Sequence, residues 1–279
     1  MRKRAPRKLA IIRPSHRNEL WLRSELRAMV GVVRDDVERH LLPSLKPAFP
    51  GTFSDSSVPV AKDIIAKIRA ENLGKMSRQA EVLARAAANR SLAAVDERFA
   101  KALRDSVSVD IKPFLQRNPR IVTILNEKTE NNTKLITTIP TVYLDQVQNS
   151  VETNWGEGIR WEDLVDDISE RGDVSEARAG VIARDQTSKL NAAFNQARQD
   201  DAGIDEYEWS TAGDESVRPS HADLDGTTHR WDEPGPLAGT IGGEPCHPGE
   251  DIECRCGAIP YINLETLESR IEIMEAEAA

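Results

Sequence analysis

The chain has 279 residues, of which 30% are charged and 5% aromatic, and it carries a formal net charge of −9. That length supports one sizeable core or two modest domains, and a composition this charged and poor in aromatics suits an elongated helical assembly protein better than a compact enzyme. No run of 18 apolar residues exists, so no membrane-spanning helix and no membrane partner are expected. The basic opening M-R-K-R-A-P-R-K leads into no apolar stretch and is not expected to act as a secretory signal.

Residues 1–16, basic and containing Pro6 and Pro14, are expected to be a disordered basic N-terminus. Helical spacing then appears over 17–42, with Trp21, Ala28, Val32, Val33, Val37 and Leu41 on one face, and Pro43 stops it. The Pro-, Ser- and Gly-rich stretch 43–59 reads as a loop or linker. Over 60–105 the spacing returns through Ile64, Ile68, Leu83, Ala87, Leu92, Val95, Phe99 and Leu103, with Gly74 as a candidate break. These segments make an extended helical N-terminal region over 17–135, whose last part reads as a strand or short extension at 121–125 (I-V-T-I-L) and a polar loop at 126–134.

Pro140, a residue favoured at helix starts, precedes Leu144, Val147, Val151 and Trp155, and Gly156 and Gly158 end that helix. Trp161, Leu164, Val165 and Ile168 predict a short helix closed by Gly172. Ser175 then caps a long helix to about 200, with Ile182, Leu190, Ala193, Phe194 and Ala197 on its apolar face. Ala179, Ala183 and Ala192 let a neighbour approach closely. At Gly203 the period changes. E-Y-E-W-S-T alternates, placing Tyr207, Trp209 and Thr211 on one face of a strand over 205–212. Short strands and Gly/Pro turns follow, then an acidic helix or tail at 263–279. Helices first and a small helix-backed β module second is an α+β pattern.

Charge divides with this order. Residues 200–279 hold twenty acids against four arginines, a net of −16, whereas residues 1–199 carry a net of +7. The front could face an acidic partner, including packaged DNA, and the back would repel a phosphate backbone.

The rare residues are concentrated. All three cysteines (Cys246, Cys254, Cys256) and three of the five histidines (His221, His229, His247) fall between 221 and 256. Thiolate and imidazole are the donors that a tetrahedral zinc ion takes. Cys254 and Cys256, placed on one strand, would present both sulfurs to one face, and His221 lies at the start of a short helix begun by Pro219. His247 is the candidate fourth ligand, with Cys246 as the alternative. Such a site would staple two loops that a small β module cannot hold by burial alone. The competing reading makes the cysteines small buried hydrophobes and the histidines hydrogen-bonded loop residues. Arg255 between the cysteines could pair with Asp214 or Asp225, Asp225–Gly226 signals a turn, and Arg218 joins these as a structural residue. His229 in T-T-H-R-W reads as a structural residue on a strand.

Enzyme signatures are missing. A zinc deaminase needs H-x-E and P-C-x-x-C, but Ala222 and Asp223 follow His221, and no cysteine lies three positions beyond Cys246. H-E-x-x-H and G-x-x-x-x-G-K-[ST] are absent. A metal nuclease drawn from His221, Asp223, Asp225 and His229 is opposed by the acidic surroundings, which also disfavour a cysteine nucleophile. No enzymatic activity is expected.

Several motifs in order resemble the phage Mu F-like minor head proteins, the SPP1-type head morphogenesis family. They are I-A-R-D-Q-T at 182–187, the Trp-containing strand Tyr207–Thr211, V-R-x-x-H-x-x-L-D-G at Val217–Gly226, and P-x-H-P followed by C-R-C at Pro245–Cys256. The resemblance is assigned to 139–262 and implies a minor capsid protein of a tailed phage, few in copies, at the portal vertex or capsid interior of the virion and assembled in the host cytoplasm. The implied partners are the portal protein and the major capsid or scaffolding protein, with a role in head assembly and DNA packaging or ejection. Many members have cysteine at the positions of Arg218 and His221, so here only His221 could serve as a ligand. The alternative function is a zinc-containing DNA-binding or DNA-processing protein.

Overall fold

A computed structural model of the chain describes residues 6–48, 57–111, 115, 119–157, 160–233, 235–236 and 244–276. Residues 49–56 of the expected linker, Gly158, the side chain of Trp155 and the end of the acidic tail lie outside the described residues. The fold is α+β, mostly helical with one four-stranded antiparallel sheet. The chain makes two compact units, each discontinuous: Met1–Glu19, Ala86–Lys128 and Arg184–Ala279 form one, and Leu20–Arg85 with Thr129–Ala183 form the other. A boundary near 135–139 therefore falls inside the second unit. The cause is helix length, because α3 (Ser57–Val107), α4 (Pro119–Glu157) and α5 (Trp161–Asp201) each lend residues to both units.

The helical unit begins within α1 (His16–Asp36), which continues through a π-helical turn Val37–Leu41, a short α2 (Leu42–Leu45) and a 3₁₀ turn Lys46–Ala48. Pro43 sits in the first turn of α2, where its missing N–H costs nothing, instead of ending a helix at a loop. The buried stripe of α1 is Leu22, Leu26, Met29, Val30 and Val33. It is rotated from the expected face, and Val32 is 51% exposed, because the bulkier apolar side chains define the inward stripe.

The strand and loop expected over 121–134 are helical. Ile121, Thr129, Asn132, Ile136, Ile139, Tyr143 and Val147 are buried at three- and four-residue steps wherever they are closely spaced, so the polar run lies on the same stripe as the apolar residues after it. Pro140 lies inside α4 and does not start it. Nearby threonines bond back along the helix, with Thr137 Oγ1 donating to the Thr133 carbonyl at 2.8 Å and Thr141 Oγ1 to that of Thr137 at 3.1 Å. Likewise Gly172 does not close a helix. It leaves room for Arg34, whose Cδ would stand 3.2 Å from a Cβ there. The Arg34 guanidinium donates to Ser169 Oγ at 2.9 Å and Asp173 Oδ1 at 3.0 Å. Gly74 is an interior residue of the continuous α3.

The other unit holds the sheet, in the order β1 (Arg7–Lys8), β4 (Gly257–Ile262), β2 (Glu206–Ser210), β3 (Thr228–Arg230). Central β2 pairs Glu206–Ser210 against Tyr261–Gly257 on one side and Glu206–Glu208 against Arg230–Thr228 on the other. Its alternation buries Tyr207 and Trp209 completely. Residues 6–16, expected within a disordered tail, instead supply edge strand β1, and buried Leu9 and Ile12 anchor them. The C-terminal part of α5 backs the sheet module: Asn191 Nδ2 donates to the Ile12 carbonyl at 3.0 Å, and Trp231 Nε1 to Gln199 Oε1 at 2.9 Å. Fully buried Arg198 on the same helix forks onto Asp96 of α3 at 2.7 and 3.1 Å and reaches Asp201 at 3.1 Å. Short α6 (Pro219–Ala222) follows β2, and α7 (Leu264–Ala276) follows β4.

Candidate metal centre

His221 is placed by α6. Extended Arg218 (φ −62°, ψ 143°) precedes the helix and Pro219 occupies its first turn, so His221 points inward and is 2% exposed. Its ring meets Trp209 edge-on, with centroids 5.7 Å apart. Cys254 and Cys256 come from the loop just before β4. They were expected on a strand, but regular pairing starts only at Gly257. The loop is shaped by Glu253 at φ 53°, whose N–H donates to Asp185 Oδ1 of α5 at 2.7 Å and whose carboxylate pairs with Arg184.

His221, Cys254 and Cys256 each aim one donor atom into a common space, all within 4.8 Å of one another. His221 Nδ1 lies 3.4 Å from Cys256 Sγ and 3.6 Å from Cys254 Sγ. A tetrahedral ion of zinc's size needs nitrogen–sulfur edges of about 3.6 Å, from metal–ligand distances of about 2.0–2.3 Å. The three buried side chains can therefore hold a metal ion with little rearrangement.

The surroundings orient these donors. His221 Nε2 stands 3.7 Å from buried Asp251 Oδ2, and that oxygen accepts from Arg218 Nη1 at 2.6 Å. At that distance the carboxylate does not hydrogen-bond the ring, and the buried Nε2 has no hydrogen-bond partner among the described residues. Arg218 Nη2 also donates to the Ile252 carbonyl at 2.5 Å, tying α6 to the cysteine loop. The Cys256 thiol and the backbone N–H groups of Cys256 and Gly249 donate to Cys254 sulfur, which lowers its pKa to about 6 against the opposing effect of burial, with His221 adding to the drop. Cys256 moves up because it keeps the proton it offers to Cys254. Gly249 can serve Cys254 because its φ of +90° suits glycine, and its backbone passes so close to α5 that a Cβ would stand 2.9 Å from that of Ala192.

The remaining candidates lie elsewhere. His247 is outside the three-donor group. Its Nδ1 shares a 2.7 Å hydrogen bond with Tyr207 Oη, and its ring packs 4.9 Å from that of Trp231. Cys246 belongs to the same buried cluster as Tyr207, Trp209, Trp231, Cys254 and Cys256 but not to the three-donor group. Burial, then the nearby Cys254, pushes its thiol up to about 12. His229 Nε2 is 2.7 Å from Thr227 Oγ1. Asp223 and Asp225 are exposed, and among the described residues they do not gather with His221 and His229. Arg255 forks onto Asp214 at 2.5 and 2.6 Å. Asp225 Oδ1 accepts from the Thr211 N–H at 2.7 Å and hydroxyl at 3.0 Å, while Gly226, at φ +78°, closes the turn. Sequence reasoning missed Asp251, Gly249 and the bond from Tyr207 to His247. Asp251 stands three residues before Cys254 in a run of acids, the one signal that could have found it.

Fold and site together define a helix-backed β module whose two loops converge on a His–Cys–Cys centre. Residues 145–259 match the family model described as Phage Mu protein F like protein, and this segment is a Mu F-like module. The match spans from α4 to β4 and includes all three donors. An uncharacterized protein of Haemophilus influenzae is 34% identical over 257 residues, which cover 92% of this chain and 56% of that protein. The chain thus spans about half the length of the curated relative it matches. No solved structure matches it, and no described helix is long and apolar enough to cross a membrane.

Proposed function

We propose that this chain is a minor head protein of a tailed phage, located in the virion at the portal vertex or inner capsid wall. It docks on the portal protein and on the major capsid or scaffolding protein during head assembly. The observation that carries this is the Mu F-like match over 145–259, within which the motif residues His221, Cys254 and Cys256 meet at one point. The role is structural and involves no turnover. Residues 1–199, with a net charge of +7, suit contact with packaged DNA or an acidic partner surface, whereas the −16 of residues 200–279 keeps that part off the phosphate backbone.

The proposed metal is zinc, because two thiolates and an imidazole are a donor set that selects it over magnesium or calcium. When bound, the ion joins the α6 loop to the cysteine loop. The chain's part is to bring His221 beside Cys254 and Cys256, to offer the Cys254 sulfur two backbone N–H groups, and to keep the cysteine loop against α5 through Asp185. The functional test is mass spectrometry of purified heads, with affinity capture of the tagged full chain from infected cells. Recovery of the chain in heads and co-capture of the portal subunit are expected. Absence from heads, with no portal subunit captured, contradicts the proposal.

A further inference from the structure

We propose that the metal centre keeps one coordination position open and that this position takes a small carboxylate from the adjoining cavity. The inference rests on the zinc reading above and extends it. Structural zinc sites are closed by four protein ligands, whereas three protein ligands leave a position for an outside donor. Among the described residues only His221, Cys254 and Cys256 converge. His247 is held by Tyr207, Cys246 lies outside the group, and Asp251 faces the wrong nitrogen of His221.

All three donors line one cavity of about 380 Å³, far more than the roughly 30 Å³ that a single water occupies in the liquid. Arg184, Arg218 and Arg255 line the same cavity, and Glu253 is the one carboxylate among its described walls. Each guanidinium has five N–H donors, and the described bonds engage at most two of them per arginine. Each of the three already pairs with one carboxylate, Arg184 with Glu253, Arg218 with Asp251 and Arg255 with Asp214, and the N–H groups left over belong to planar forks that match a further carboxylate.

The test uses the full chain loaded with Co²⁺, whose visible spectrum reports its ligands, and acetate as the probe. The expected result is one cobalt per chain, sulfur-to-cobalt absorption of two-thiolate intensity, and a saturable shift of the ligand-field bands on adding acetate. Arg255→Gln is expected to weaken acetate binding about tenfold, the loss of one charged hydrogen bond. Sulfur counting by X-ray absorption at the zinc edge of the wild-type chain needs no variant and should give two sulfurs. Three sulfurs, with Cys246 as the third, or a spectrum indifferent to acetate overturns the open position. Failure to bind cobalt or zinc at all instead overturns the metal reading beneath it.

Discussion

Replacing Gly249 by alanine tests whether the cysteine loop is pressed against α5 as described. Two costs follow from the geometry. At φ +90° an L side chain is strained, by about 1–2 kcal/mol on the scale of left-handed backbone. The new Cβ would also stand 2.9 Å from Ala192 Cβ, well inside the roughly 3.5–4.0 Å of a comfortable carbon contact, and overpacking of this kind costs about 1–3 kcal/mol. Ala192 has no flexible side chain to move aside, so the two costs combine to about 2–5 kcal/mol. Gly226 is the control. It also has a positive φ, +78°, but a Cβ there meets nothing within 4 Å, so Gly226→Ala should show only the backbone cost, about 1–2 kcal/mol. Urea unfolding of both variants, compared at equal m-values, measures the difference. If Gly249→Ala is no less stable than Gly226→Ala, the close approach of loop and helix is wrong.

Other substitutions probe separate contacts. Tyr207→Phe removes the hydroxyl bonded to buried His247 Nδ1 at 2.7 Å, and should cost about 1–3 kcal/mol in urea unfolding while leaving metal content unchanged. Arg198→Leu strands the carboxylates of Asp96 and Asp201, for an expected loss of about 3–5 kcal/mol at pH 7. Burial already raises the Asp96 pKa against the pull of Arg198. A carboxyl with a raised folded-state pKa favours the fold when protonated, and that benefit is lost as pH rises through the folded pKa. The stability gap between Arg198→Leu and wild type should therefore narrow on acidification, and a gap that widens in pH-dependent unfolding contradicts the desolvated pair.

The parts of this molecule legible in its sequence are those where one local pattern dominates. E-Y-E-W-S reads as a half-buried strand because tertiary contacts agree with its alternation, and Pro219 before His221 marks a helix start. The crowding of Cys and His residues shows that the loops share a site. Other features are set by contacts far along the chain. I-V-T-I-L favours a strand by propensity, yet the stripe from Ile121 through Thr129 and Asn132 to Ile136 makes it helical, because burial over a long helix outweighs β-branched preference. Two residues, Arg7 and Lys8, carry no strand signal of their own and pair only because β4 presents an edge. His247 looks as good a ligand as His221 on paper, and what separates them is Tyr207, forty residues away, which holds its ring nitrogen. The discontinuous units could not be read from local spacing at all, since they arise from helices long enough to serve both.

The most direct test of the His–Cys–Cys centre is the metal content of the purified full chain beside that of Cys254→Ser, by elemental mass spectrometry after exhaustive dialysis. One zinc per wild-type chain and a large loss in the variant is the expected result. A wild-type chain that retains no metal, or a variant that retains as much as wild type, contradicts the assignment of His221, Cys254 and Cys256 as its ligands.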